Sequence, residues 1–128
     1  MKTNVQIGLL VLAGLLRGSE CNAEVSEREA VRCIVGEAAN QGLSGMRGVA
    51  SVLRRRDSLQ GFCGTKAKHI DKQPAWVFEQ ARRAWRESAT KDYANGATHF
   101  ESTDFKRPDW SKGMTIVAHI GKHRFFRP

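Results

Sequence analysis

Apolar residues recur at helical spacing in the first part of the chain. The positions that share one face at 100° per residue are Ala30, Val31, Ile34, Val35 and Ala38. Ser26, followed three residues later by Glu29, forms a capping-box pattern that predicts where this helix begins. The turn-forming run Asn40-Gln41-Gly42 predicts its end. We therefore expect a first amphipathic helix between Ser26 and Asn40.

Two further stretches have the same periodicity. In the second helix the apolar positions are Met46, Val49, Ala50 and Leu53, after Ser44 as a candidate cap. Arginines 54–56 follow, at the helix end where the macrodipole favours positive charge. Pro74 suits the first turn of a third helix. We expect its inner face to be Val77, Ala81, Ala84, Trp85 and Ser88, with Trp76 also in the core.

Beyond Lys91 the pattern changes from helical to strand-like. Residues 97–100 are compatible with a short strand, and residues 115–120 have strand composition. Residues 124–126 are predicted to continue that second strand after Gly121. The sequence has no internal repeat and no low-complexity tract. It predicts one α+β domain, mainly helical, with two or three short strands in its C-terminal part.

The N-terminal segment has the pattern of a secretory signal peptide. Lys2 precedes a run of apolar residues and glycines from Ile7 to Leu16, and Ala23 offers a small residue for cleavage. The run is shorter than the roughly 20 residues of an ordinary membrane span. We expect residues 1–23 to be removed, leaving an exported periplasmic or extracellular domain of residues 24–128. The alternative is that residues 1–23 stay as an N-terminal membrane anchor.

Cleavage after Ala23 would leave two cysteines, Cys33 and Cys63. An even pair in an oxidising compartment favours a disulfide. Such a bridge would close a loop of about 30 residues and stabilise the domain by about 3 kcal/mol. The alternative is two buried free thiols.

The chain carries a formal net charge of +8. Residues 1–23 contribute Lys2, Arg17 and Glu20, so +7 remains on residues 24–128. Such a domain favours polyanions or an anionic cell envelope. Nucleic-acid binding is the less favoured alternative, because export opposes it and no groove-reading module is visible. A non-catalytic, cationic wall-binding protein is another alternative, and each basic cluster could also be a solvated face.

One carboxylate has a position suited to acid catalysis. Glu37 falls at the edge of the apolar face of the first helix, next to Cys33 and Ala30 and away from the charged side. Partial burial disfavours the charged form of a carboxyl group, so it can hold a proton near neutral pH. A general acid needs this property.

Four segments in this order resemble the SleB-like cell-wall hydrolases, the family of spore-cortex-lytic enzymes. They are Gly36-Glu37-Ala38, Gly45-Met46-x-x-Val49-Ala50-Ser51-Val52, Asn95-Gly96-Ala97-Thr98-His99-Phe100, and Pro108-x-Trp110 followed by Ile120-Gly121-x-His123-x-Phe125. The resemblance spans residues 31–126. It implies a small lysozyme-like fold, cleavage of the glycan of peptidoglycan, and Glu37 as the catalytic acid. Where the family commonly has Arg-Gly-Glu, this chain has residues 39–42, Ala-Asn-Gln-Gly, and the family's Asn-Arg pair appears as Arg54-Arg55.

The number of carboxylates distinguishes two reactions. A hydrolysing glycosidase generally needs two, whereas a lytic transglycosylase can act with one. Only Glu37 belongs to a strong motif, so we favour a lytic transglycosylase that leaves an anhydromuramic end. The alternative is a muramidase, a lysozyme-type hydrolase such as a phage endolysin, with Glu101, Asp104 or Asp109 as second carboxylate.

The remaining motif residues can be interpreted as functional or as structural. Thr98 and His99 are candidates to hydrogen-bond the sugar or the reacting carboxyl, or they are ordinary strand residues. Trp110 is a candidate to stack on a sugar, or it fixes a loop to the core. We expect His123 to support the site.

A zinc-dependent enzyme is the alternative from another functional class. His99, His119 and His123 together with Glu37 would suit a zinc-dependent wall amidase. Ligands four residues apart belong on a helix, however, and the residues around Gly121 predict a strand. We therefore expect no metal or cofactor. The expected substrate is the glycan strand of peptidoglycan, and the expected state is a monomer.

Overall fold

Three helices and a three-stranded sheet make up the part of the chain that the structure describes. The computed structural model describes residues 25–62 and 67–128. The elements in chain order are helices α1 (Glu27–Ala38), α2 (Gly42–Arg56) and α3 (Ala75–Glu87), then strands β1 (His99–Ser102), β2 (Thr115–Ile120) and β3 (His123–Arg127). Short 3-10 turns lie at Ile70–Lys72 and Asp109–Ser111. The predicted, mainly helical α+β architecture is confirmed, and the predicted signal peptide lies outside the described residues.

Helix α1 begins at the predicted capping box. The Ser26 hydroxyl accepts a hydrogen bond from the Glu29 backbone N–H at 3.1 Å, and Glu29 Oε1 accepts one from the Ser26 backbone N–H at 3.0 Å. The predicted apolar face is buried, and it includes Cys33. Within residues 25–62 and 67–128, no helix is both long enough and apolar enough to cross a membrane.

Helix α2 begins three residues earlier than the sequence predicts. Gln41 is its N-cap and makes no side-chain capping bond, while Ser44 lies inside the first turn. Gly42 has φ +73°, so the chain can reverse sharply between α1 and α2. The cap prediction for Ser44 was wrong because the glycine, and not a serine hydroxyl, sets this helix start.

Arg54 joins α2 to α3. Its guanidinium lies 3.6 Å from the centroid of the Trp85 ring and donates to the Trp85 carbonyl at 2.5 Å. It also donates to the Ser88 hydroxyl at 3.2 Å. Trp85 is buried as expected. Trp76 is 62% exposed, so its assignment to the core was wrong: it precedes the inward-facing Val77 in the first turn and points to solvent.

The sheet has the strand order β1-β3-β2, and both pairings are antiparallel. Gly121, with φ +58°, lies in a tight turn between β2 and β3. Residues 124–126 therefore form a separate strand and do not continue β2. Phe125 on the central strand is fully buried and meets α2 at Gly48, where an added Cβ would collide with the Phe125 ring. This contact places the sheet against the helices.

Candidate active site

One cleft collects most of the residues that the sequence singled out. Its volume is about 890 Å³, within the usual range for ligand sites. The predicted candidates that line it are Glu37, His99, Trp110 and His123, together with the possible second carboxylates Glu101 and Asp104. Further residues of its wall are Asn40, Gln41, Arg56, Phe62, Phe105 and Lys122. The helical part and the sheet thus both contribute to it.

Glu37 lies in the last turn of α1, partly buried, with its side chain on the cleft. The neighbouring Cys33 is fully buried. Burial, followed by the negative charge of Glu37, raises the pKa of the Cys33 thiol to about 12, while Arg56 opposes the shift. Cys33 has no disulfide partner among the described residues, and Cys63 lies outside them. The Cys33–Cys63 bridge stays a prediction.

His99 and Trp110 form one aromatic part of the cleft. Their ring centroids are 5.2 Å apart, and Trp110 in turn packs edge-on against Phe126 at 5.4 Å. Trp110 remains 47% exposed, so part of its surface is available to a ligand. Thr98 does not line the cleft: its hydroxyl shares a 2.8 Å hydrogen bond with His99 Nδ1. Thr98 therefore helps to orient the imidazole without lining the cleft itself.

The two cleft histidines have electrostatics that favour the neutral imidazole. Burial, and after it the positive charge of Arg56, lowers the pKa of His99. Burial also lowers the pKa of His123, against the opposing charge of Glu101. His123 lies against the rings of Phe100 and Phe125, at 5.1 and 6.1 Å. Its Nδ1 is buried without a hydrogen-bond partner in the described part of the chain.

The structure separates the three possible second carboxylates. Glu101 on β1 and Asp104 in the following loop line the cleft, whereas Asp109 does not. Glu101 Oε1 accepts the Ser102 backbone N–H at 2.9 Å. Because Glu101 influences the pKa of His123, the two side chains are electrostatic neighbours.

Arg56 is a cleft residue that sequence reasoning interpreted only as a dipole-compensating charge. Its guanidinium lies 4.7 Å from the Phe62 ring centroid and donates to the Gln60 carbonyl. Periodicity identified Arg56 as the end of α2, but it could not show that the loop after α2 returns toward β1. Phe62 packs against Phe100 at 5.7 Å, which links that loop to the sheet.

The other basic clusters are largely engaged in ion pairs. Arg55 pairs with Asp92 at 2.6 Å, and Arg86 pairs with Glu27 at 2.8 Å. Glu87 bridges Arg47 and Arg83 at 2.6 and 3.0 Å. The Arg47–Glu87 and Arg86–Glu27 pairs join two helices each, and all of these paired arginines are less available to a polyanion than the sequence suggests.

The zinc alternative has no ligand set in residues 25–62 and 67–128. No three histidine, cysteine, aspartate or glutamate side chains there come together as metal ligands. His119 is exposed on β2, paired in register with Arg124, and does not line the cleft that holds His99 and His123.

Comparisons with known proteins identify the fold. No family model matches the sequence, and no curated protein matches it. Among solved structures, the chain is similar to the crystal structure of the catalytic domain of the Bacillus cereus SleB protein, with a TM-score of 0.61. The two are 18% identical, over 79% of this chain and 88% of that chain. The SleB-like fold expected from the sequence motifs is therefore confirmed.

Proposed function

We propose that this protein cleaves the glycan strands of peptidoglycan, with Glu37 as the catalytic acid. The observation that carries the proposal is the position of Glu37, partly buried and lining a cleft whose walls combine polar side chains and aromatic rings. Aromatic faces and hydrogen-bonding groups together suit sugar rings, which have apolar faces and polar edges. The likeness to a catalytic domain supports an enzymatic site.

The favoured reaction is that of a lytic transglycosylase. Glu37 would donate its proton to the glycosidic oxygen as the bond to the anomeric carbon of muramic acid breaks. The resulting carboxylate would then accept the proton of the 6-hydroxyl of the same sugar, whose oxygen bonds the anomeric carbon. The products are a shortened strand and a 1,6-anhydromuramic end, and the acid is regenerated. Neutral His99 would serve as a hydrogen-bonding group beside Trp110.

A muramidase is the second candidate, because Glu101 and Asp104 line the same cleft as Glu37. Either carboxylate would then activate water or stabilise the positive charge that develops on the sugar. Glu37 would keep its role as acid in both reactions.

Replacing the acid tests the proposal. Glu37→Gln keeps the volume and removes the titrating proton, so peptidoglycan cleavage should fall by at least about a hundredfold. The control is Glu79→Gln, an exposed glutamate on α3 outside the cleft, which should leave activity unchanged. Thermal melting of both variants checks that the fold is intact. A Glu37→Gln protein that clears peptidoglycan at the parent rate would overturn the proposal.

We further propose that the protein acts outside the cytoplasm, on an anionic wall. The signal peptide predicted for residues 1–23 and the +7 charge of residues 24–128 support this. The same experiment addresses the non-catalytic, cationic alternative. A wall-binding protein would sediment with walls and release no soluble fragments in either the parent or the Glu37→Gln form.

A further inference from the structure

Phe105 is a large apolar side chain displayed to solvent on the cleft. It is 66% exposed and lines the same cleft as Trp110. An exposed aromatic ring gives up the stabilisation that burial would provide. Within a polar cleft, such a ring offers an apolar surface for a ligand to cover.

The loop that carries Phe105 is held in place by hydrogen bonds to its backbone groups. Arg124 Nη2 donates to the Phe105 carbonyl at 2.6 Å and to the Ser102 carbonyl at 3.2 Å. The Phe105 N–H donates to the Ser102 carbonyl at 3.3 Å. The Asp104 N–H donates to the Ser102 hydroxyl at 3.0 Å. The ring is therefore presented from a fixed backbone, which lowers the conformational entropy that binding would cost.

We propose that Phe105 is the stacking platform of a second sugar-binding subsite, distinct from that of Trp110. The ligand class is the N-acetylated amino sugar of a β-1,4-linked glycan, and the inference rests on the proposed function. The apolar face of such a ring, with its C–H groups, suits the electron-rich face of an aromatic side chain. Glu101, Ser102 and Asp104 line the cleft beside Phe105 and offer oxygen atoms to the sugar hydroxyls.

A two-platform cleft has a kinetic consequence. A sugar that stacks on Phe105 without carrying the bond that breaks should bind equally strongly in the ground state and the transition state. Loss of that contact raises KM and leaves kcat nearly unchanged. A merely structural role for Phe105 would instead lower the melting temperature and kcat together.

Binding and kinetics test the inference on the full-length protein. In the Glu37→Gln background, Phe105→Ala should weaken binding of the N-acetylglucosamine tetramer about tenfold. In the active protein, Phe105→Ala should raise KM on peptidoglycan by a similar factor and change kcat by less than about twofold. Phe105→Trp should restore both values. Trp76→Ala is the matched control, because Trp76 is 62% exposed but lies outside the cleft.

Two results would overturn the inference. One is a Phe105→Ala protein whose tetramer affinity and KM equal those of the parent. An unchanged KM overturns the inference equally if the parent itself binds no tetramer. The other is an equal loss in Trp76→Ala. Failure of the proposed function is distinguishable from failure of this inference. It would appear as full activity in Glu37→Gln, whether or not Phe105 is also replaced.

Discussion

The amide oxygen of Gln41 occupies the space beside Gly121 and joins the turn after α1 to the β2–β3 hairpin. Gln41 Oε1 accepts the Lys122 backbone N–H at 2.8 Å, and a Cβ added at Gly121 would collide with that same oxygen. Gln41 Nε2 donates to Asn40 Oδ1 at 3.0 Å, which fixes the amide orientation. Glu37 lies in α1, just before Gln41, and His123 begins β3, just after Lys122, so this contact joins the two elements that carry these cleft residues.

Gly121→Ala should therefore destabilise the protein more than Gly113→Ala does. Both glycines have positive φ, at +58° and +83°, so alanine at either position costs about 1–2 kcal/mol of backbone strain. Nothing lies within 4 Å of a Cβ at Gly113, whereas Gly121 has the Gln41 amide. The free energy of unfolding in urea should fall by at least about 1 kcal/mol more for Gly121→Ala.

A double-mutant cycle tests whether Gln41 causes the additional destabilisation of Gly121→Ala relative to Gly113→Ala. In a Gln41→Ala background the collision is absent, so Gly121→Ala should cost only about as much as Gly113→Ala. Equal costs for the two glycine variants in the parent background would show that the Gln41 contact does not constrain the hairpin.

Acidification should destabilise the protein through His123. Burial lowers the folded-state pKa of His123 below its ordinary value of 6.5, so the unfolded chain takes up this proton first. The free energy of unfolding should be insensitive to this group above about pH 6.5, should decrease as pH falls from there towards the folded-state pKa, and should level off below it. His123→Phe keeps an aromatic ring against Phe100 and Phe125 and cannot titrate, so the stability of this variant should depend less on pH between about 7 and 5.

The matched control for His123 is His119→Gln, which alters an exposed histidine on the neighbouring strand. Its stability should follow the parent curve across the same pH range. If His123→Phe also follows the parent curve, the buried imidazole is not the group that carries the acid sensitivity.

Local patterns predicted the fold well because they depend on residues close in sequence. The capping box of α1 connects residues three apart, and the apolar stripes report directly which helix faces are buried. The error at Trp76 shows how sensitive such a pattern is to position. One residue along a helix turns a side chain by 100°, which is enough to move Trp76 from the core face to solvent. The hairpin at Gly121 required a positive φ that composition alone did not distinguish from a continuous strand.

The candidate site was only partly predictable because its geometry is non-local. Motifs singled out Glu37, His99, Trp110 and His123, and all four line the cleft. Phe105 was not predicted as a cleft residue: it lies in a loop without periodicity, and Arg124, 19 residues away, holds it. The Gln41–Lys122 contact joins residues 81 apart, which no local pattern reports.

The mass of the soluble products should distinguish the two candidate reactions. A transglycosylase leaves 1,6-anhydromuramic ends, whereas a hydrolase leaves reducing ends that are about 18 mass units heavier per cut, the mass of one water. We expect anhydro ends, because the 6-hydroxyl of the substrate replaces water and no second carboxylate is then required. Glu101→Gln and Asp104→Asn should consequently keep the anhydro product and lower the rate by less than about tenfold, as should Asp109→Asn, the control outside the cleft. Mainly reducing ends would contradict the transglycosylase. If activity also fell by at least about a hundredfold in Glu101→Gln or Asp104→Asn but not in Asp109→Asn, the affected residue would be the second carboxylate of a muramidase.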